Sequence, residues 1–147
     1  MVPGVDDLPS WLLTQTAAQA GRLVAAEFAA EGARGYHYRL LRSLIDEGPA
    51  SQADLGRRTG IHFSDVVASL NELTTGGWIA RTPDPADRRR NVVTITPTGL
   101  HRAEVLATRA AAVQDHLLAP LSQEERAAFV ATLTKLLHHL RPHESEE

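Results

Sequence analysis

Three consecutive arginines, Arg88, Arg89 and Arg90, follow Asp87 at the end of a Pro83-Asp84-Pro85-Ala86 turn sequence. A run this basic does not belong in a core. It projects either into water or into something polyanionic, for which a guanidinium supplies a permanent charge and a planar fork of donors. A second basic pair, Arg57-Arg58, precedes a segment carrying His62, Ser64, Asp65 and Ser69. These are short polar side chains that can touch phosphate oxygens or base edges. The same segment, His62 to Thr75, holds neither lysine nor arginine. The chemistry on offer is binding, not bond breaking. There is no glycine-rich phosphate loop, nucleophile elbow or HExxH, and the acid pairs Asp6-Asp7, Asp46-Glu47 and Glu124-Glu125 fall where they complement helix dipoles. The chain is read as a non-enzyme that uses no cofactor.

Two further groups invite a ligand. Trp11, Tyr36, His37 and Arg39 combine apolar faces with donors suited to an anion, and form a candidate effector pocket; core packing with solvated arginines is the plainer reading of the cluster from Tyr36 to Arg42. Among the seven histidines, His138, His139 and His143 lie close in sequence. His139 and His143 are four apart, but Pro142 interrupts any helix between them and no acid completes a ligand set. No metal site is assigned, and a zinc-responsive regulator stands as an alternative.

The elements that must position these residues follow from periodicity. Leu13, Ala17, Ala20, Val24 and Phe28 form one apolar helical stripe ending at Gly32, and His37, Leu40, Leu41, Leu44 and Ile45 form a second ending at Gly48-Pro49. Ser51, three residues before Asp54, opens a short helix that stops at Thr59-Gly60. Phe63, Val66, Leu70 and Leu73 then mark the buried face of another, leaving His62, Ser64, Asp65 and Ser69 outward. Two helices joined by a tight glycine turn make a helix-turn-helix. Alternation in Trp78–Thr82 and β-branched enrichment in Asn91–Ile95 predict a hairpin with the arginines at its tip. Thr96-Pro97 caps a long helix through Leu117, and Ser122 with Glu125 caps the last, whose Leu133, Leu136, Leu137 and Leu140 run to Pro142. Residues 1–9 read as an arm, and His143 to Glu147 as an acidic tail.

The order Asp87-x-Arg89, a β-branched run ending in Ile95-Thr96-x-x-Gly99, and a preceding helix that ends at Gly77 resembles the wing of the MarR family of winged-helix regulators. The spacing of Leu55, Leu70, Leu73, Gly77 and Arg81 and the two long helices behind extend that resemblance from about Leu13 to Leu140. The resemblance implies a mainly α fold, a winged helix-turn-helix with a short β-hairpin and N- and C-terminal dimerisation helices. It implies that Arg89 enters a DNA minor groove while Asp87 pairs with it, and Arg88 and Arg90 are assigned to phosphates. Positions often basic in the family fall here at Ala68 and Glu72.

Composition bounds the same picture. A chain of 147 residues suits one domain, read as dimerisation helices at 10–32 and 97–141 around a DNA-binding lobe at 36–96. Its net charge is −3, so nucleic-acid affinity must come from local clustering. Only the middle third is net positive, with 6 Lys/Arg against 5 Asp/Glu between Ser51 and Thr96. The absence of cysteine excludes disulfides and thiol-based sensing. No membrane span or signal peptide is read, which implies a cytoplasmic protein. The expected partners are double-stranded DNA at a pseudo-palindromic operator, a second copy of the chain, and a small aromatic or anionic effector. The expected function is transcriptional regulation, with a helical protein-interaction module as the alternative from another class.

Overall fold

The computed structural model describes residue 2 and residues 4–141; His143 and the acidic tail lie outside the described residues. Two compact units divide the chain, one ending at Val113 and the other starting at Gln114. In the first, a 3-10 turn at Val5–Asp7 leads into α1 (Pro9–Ala29), where Pro9 sits at the start and its missing N–H is no loss. Of the apolar stripe expected along α1, only Phe28 is buried, with Val24 packed against the core. Helix α2 (Gly35–Glu47) behaves as its period requires, burying His37, Leu40, Leu41 and Leu44.

A two-residue strand, β1 (Ala50–Ser51), follows and was not legible in the sequence. Ser51 then caps α3 (Gln52–Thr59), its Oγ accepting from the Asp54 N–H at 3.2 Å. The helix stops at Gly60, whose φ of +69° is left-handed and whose N–H donates to the Gly56 carbonyl. That turn aims the next helix, α4 (Phe63–Thr75), across α3. Strands β2 (Ile79–Pro83) and β3 (Asn91–Ile95) form the expected hairpin, and β1 joins it to give an antiparallel sheet of order β1-β3-β2 with Ala50 opposite Val93.

Helix α5 (Pro97–Leu117) begins on the Thr96 hydroxyl, which accepts from the Gly99 N–H at 3.0 Å and donates to the Gly77 carbonyl at 2.8 Å. Gly99 is required there, because a Cβ would collide with the Trp78 carbonyl oxygen. Arg109 ties α5 to α1, donating to Glu31 at 2.7 Å and Glu27 at 3.1 Å. One core results, with Leu40, Leu41, Leu55, Val66, Leu70, Leu73, Val93 and Leu106 fully buried. Each fully buried leucine contributes about 1.5–3 kcal/mol, so the helix-turn-helix and hairpin are held as one block.

In the second unit, α6 (Gln123–Leu140) starts on a reciprocal cap in which Ser122 Oγ accepts from the Glu125 N–H and Glu125 accepts from the Ser122 N–H, each at 3.1 Å. No residue of α6 is buried. No helix among the described residues is long and apolar enough to cross a membrane.

Candidate nucleic-acid interface and adjoining cavity

The turn between β2 and β3 is built by its acids. Asp84 Oδ1 accepts from the Ala86 N–H at 2.9 Å, and Asp87 Oδ1 accepts from the Arg89 N–H at 3.1 Å. The same Asp87 oxygen receives Arg89 Nε at 3.2 Å, so one carboxylate fixes both the backbone and the root of the guanidinium. The Arg89 side chain is nonetheless 91% exposed, and Arg88 is exposed beside it. Arg90 differs. It turns back to the base of the wing, donating to Ser51 Oγ at 3.0 Å and lying 3.9 Å from Asp54. Ser51 and the guanidinium of Arg57 hold the Asp54 carboxyl below its ordinary range. At the root of the hairpin the Arg102 guanidinium stacks 4.1 Å over the Trp78 ring while donating to the Glu31 carbonyl at 2.6 Å.

Arg57 pairs with Asp54 one turn away on an exposed face. Arg58 is committed elsewhere: it donates to the Gly48 carbonyl at 2.8 Å and faces Glu47 at 3.4 Å, clamping α3 to the end of α2.

On α4 the outward polar face is shorter than expected. His62, Ser64 and Asp65 are exposed, and His62 Nδ1 caps the helix by accepting from the Ser64 N–H at 3.3 Å. Ser69 is not outward; it is only 4% exposed, because at 100° per residue it falls with Val66, Leu70 and Leu73 on the core side. Phe63 is the opposite correction. Expected on the buried face, it is 55% exposed as the first residue of α4.

An open cavity of about 910 Å³ lies beside α4, lined by α1 at Gly21 and Val24, by Arg34, Tyr36 and Arg39 of the α2 start, and by Asp65, Ala68, Ser69 and Glu72 of α4. Of the four residues expected to form an effector pocket, Tyr36 and Arg39 line it and Trp11 and His37 do not. Trp11 stands 44% exposed on the first turn of α1. His37 is buried behind the wall, with Nε2 2.7 Å from Glu72 and Nδ1 facing the Arg34 N–H at 3.4 Å. Burial pushes its pKa down against the opposing pull of Glu72, which leaves a neutral ring donating from Nε2. Arg34 Nε reaches the same carboxylate at 3.4 Å. Arg34 was not singled out from the sequence, and Glu72 was named only as a position often basic in the family. The available signal was an acid, Glu72, at a position the family resemblance makes basic, and acids so placed need a cationic neighbour. Among the described residues no three histidines or acids converge on a metal geometry, and His138 and His139 are exposed on α6.

Comparison with known proteins gives this architecture relatives. The MarR family model matches residues 31–90. The multiple antibiotic resistance protein MarR of Salmonella typhimurium is 30% identical over 105 residues, 71% of each chain. The transcriptional repressor NicR of Pseudomonas putida is 28% identical over 66% of this chain, and the match spans only 61% of NicR itself. A probable transcriptional regulator from Pseudomonas aeruginosa superposes with a TM-score of 0.83 at 30% identity, covering 90% of this chain and 99% of the other.

Proposed function

We propose that this chain, which belongs to the MarR family, is a homodimeric, sequence-specific DNA-binding repressor of its own or neighbouring genes, acting in the cytoplasm and without catalytic activity. The observation that carries the proposal is the pair of exposed guanidinium groups, Arg88 and Arg89, on a wing anchored to the same core as the helix-turn-helix α3–α4. In this reading Arg89 enters the minor groove, where narrowness concentrates negative potential. Arg88 meets phosphate, with Arg57 and the partly engaged Arg58 and Arg90 adding positive field. His62 and Ser64, at the start of α4, face the major groove. The test is anisotropy titration with duplex DNA from upstream of its own gene. Affinity should fall steeply and linearly in log-log form as salt rises. Binding without salt dependence, or none to any duplex, would instead favour a helical protein-interaction module.

Dimerisation is assigned to residues 10–32 and 97–141, and DNA binding to 36–96. Trp11, Leu12 and Leu13 of α1 and Leu136, Leu137 and Leu140 of α6 are each at least 44% exposed, more apolar surface than a small monomer leaves in water. A symmetric pair covers such stripes. A stable monomer at micromolar concentration in sedimentation would overturn this.

The cavity supports a second element, release of DNA by a small aromatic or anionic effector. Arg34 and Arg39 offer charge and Tyr36 an aromatic face. Phenolic acids should raise the melting temperature and weaken DNA binding, and Arg39→Ala should abolish both effects. If Arg39→Ala responds like the parent, the effector site lies elsewhere.

A further inference from the structure

An exposed phenylalanine at the leading end of a helix-turn-helix second helix needs an explanation. Phe63 is the first residue of α4, 55% exposed, and outside the wall of the cavity beside that helix. Val67 stands one turn behind it on the same face and is half-buried, and Asn71, one turn further, is exposed. Phe63 and Val67 are therefore clear of the cavities beside α4, whereas Asp65, Ala68 and Glu72 line the larger one and Asn71, with Glu72, the rim of a smaller one next to His37.

In helix-turn-helix docking, the N-terminal residues of the second helix are the ones that reach base edges. The usual guanine readers are absent, because α4 carries no arginine or lysine. An aromatic ring and a valine can make only one favourable contact with base edges in the major groove, the 5-methyl group of thymine, which is the one apolar feature there. Asn71 can supply the donor and acceptor that adenine matches.

We infer that Phe63, backed by Val67, is a specificity-determining residue that reads thymine methyl groups, so each half-site carries an A·T pair under the start of α4. The inference rests on the proposed DNA-binding function. It adds that the selectivity of this helix is apolar rather than charged. A methyl contact excludes water without needing partner atoms, which suits a helix whose own charge is negative through Asp65 and Glu72.

The probe is the footprinted upstream duplex, synthesised with deoxyuridine replacing thymidine at one position at a time and then at symmetric pairs. Uracil keeps every hydrogen bond and the same backbone, and lacks only the methyl. The parent protein should lose about fourfold in affinity at one position per half-site, and roughly fifteenfold when both symmetric methyls are removed, as expected for a buried methyl-sized group. Phe63→Ala, with its melting temperature checked, should bind thymidine and deoxyuridine duplexes equally. Parent protein that tolerates deoxyuridine at every position overturns the inference while leaving DNA binding intact. Phe63→Ala that still discriminates also overturns it. Absence of binding to the upstream duplex and to a randomised duplex library removes the DNA-binding reading as well. The deoxyuridine comparison on the parent protein decides the matter even if the variant does not fold.

Discussion

The wing and the second helix of the helix-turn-helix have opposite characters. The wing has charge and little burial: Arg88 and Arg89 stand in water on a turn held by two aspartates. Helix α4 has burial and no positive charge: Val66, Ser69, Leu70 and Leu73 lock one face into the core, and its outward groups are Phe63, Ser64, Asp65 and Asn71. Division of labour follows from physics. Long-range attraction to phosphates needs exposed cations and tolerates a flexible support, while discrimination between bases needs a rigid one. In the proposed function, the element that attracts and the element that can discriminate are therefore separate.

The sharpest way to break that comparison is at Arg89. Arg89→Ala should cost about 1–3 kcal/mol of DNA affinity, on the scale of a specific arginine contact, and more than Ser64→Ala or Asn71→Ala. Arg89→Lys should restore little, because the Asp87 pairing and a narrow groove both use the planar guanidinium. Titration of the four variants against one duplex checks the order. If Ser64→Ala abolishes binding while Arg89→Ala binds like the parent, the helix supplies the affinity and the division above is wrong.

Much of this contrast was legible before the structure. Alternation and β-branching gave the hairpin, the period of Leu40, Leu41 and Leu44 gave α2, and Ser51, Thr96 and Ser122 marked helix starts at which their hydroxyls do accept backbone N–H groups. What failed did so for physical reasons. β1 is two residues long after a proline, too short for any alternation, and exists only because β3 pairs with it. Ser69 was judged by polarity, but its angular position on α4 decides its burial. Phe63 was judged by spacing from Val66, but spacing does not say where a helix leaves its core. The stripe on α1 was read as the apolar face of a dimerisation helix, and within this chain only Phe28 of it is buried, with Val24 packed against the core. Of the candidate pocket residues, Tyr36 and Arg39 line the larger cavity, while His37, one residue from Tyr36, is buried against Glu72 beside a smaller one.

A smaller effect separates arginines that hold the lobe together from those free to meet DNA. Arg58 donates to the Gly48 carbonyl and its side chain is 22% exposed. Arg58→Ala should lower stability by about 1–2 kcal/mol through that lost charged hydrogen bond, with a modest change in the salt dependence of binding. Arg88→Ala should do the reverse, leaving the melting temperature unchanged and reducing the slope of log affinity against log salt by roughly 1. Denaturant unfolding and salt titration on both variants test the pair. Equal salt slopes for Arg58→Ala and Arg88→Ala would show that the clamp on Gly48 opens to meet phosphate.

The smallest expected effect concerns what keeps α4 in place on the cavity side. His37 Nε2 donates to Glu72 of α4 at 2.7 Å, and burial holds the His37 pKa below the ordinary 6.5 despite that carboxylate. The unfolded chain therefore takes up a proton at higher pH than the folded one. The stability contributed by neutral, buried His37 is fully present above pH 6.5 and is lost as pH falls through the lower folded pKa. Charging the ring also replaces its acceptor at Nδ1, facing the Arg34 N–H, with a donor. The parent protein should melt at progressively lower temperature between pH 7.5 and 5, and His37→Gln, which keeps a donor without titrating, should show a shallower slope over the same interval. The wing contains no histidine, so the ratio of parent to Arg89→Ala affinity should stay flat while the melting temperature of the lobe moves. Melting series on the parent and His37→Gln, and anisotropy series on the parent and Arg89→Ala, check both halves. A pH slope unchanged by His37→Gln would place the sensitivity in the other histidines and leave the α2–α4 contact as a purely geometric tie.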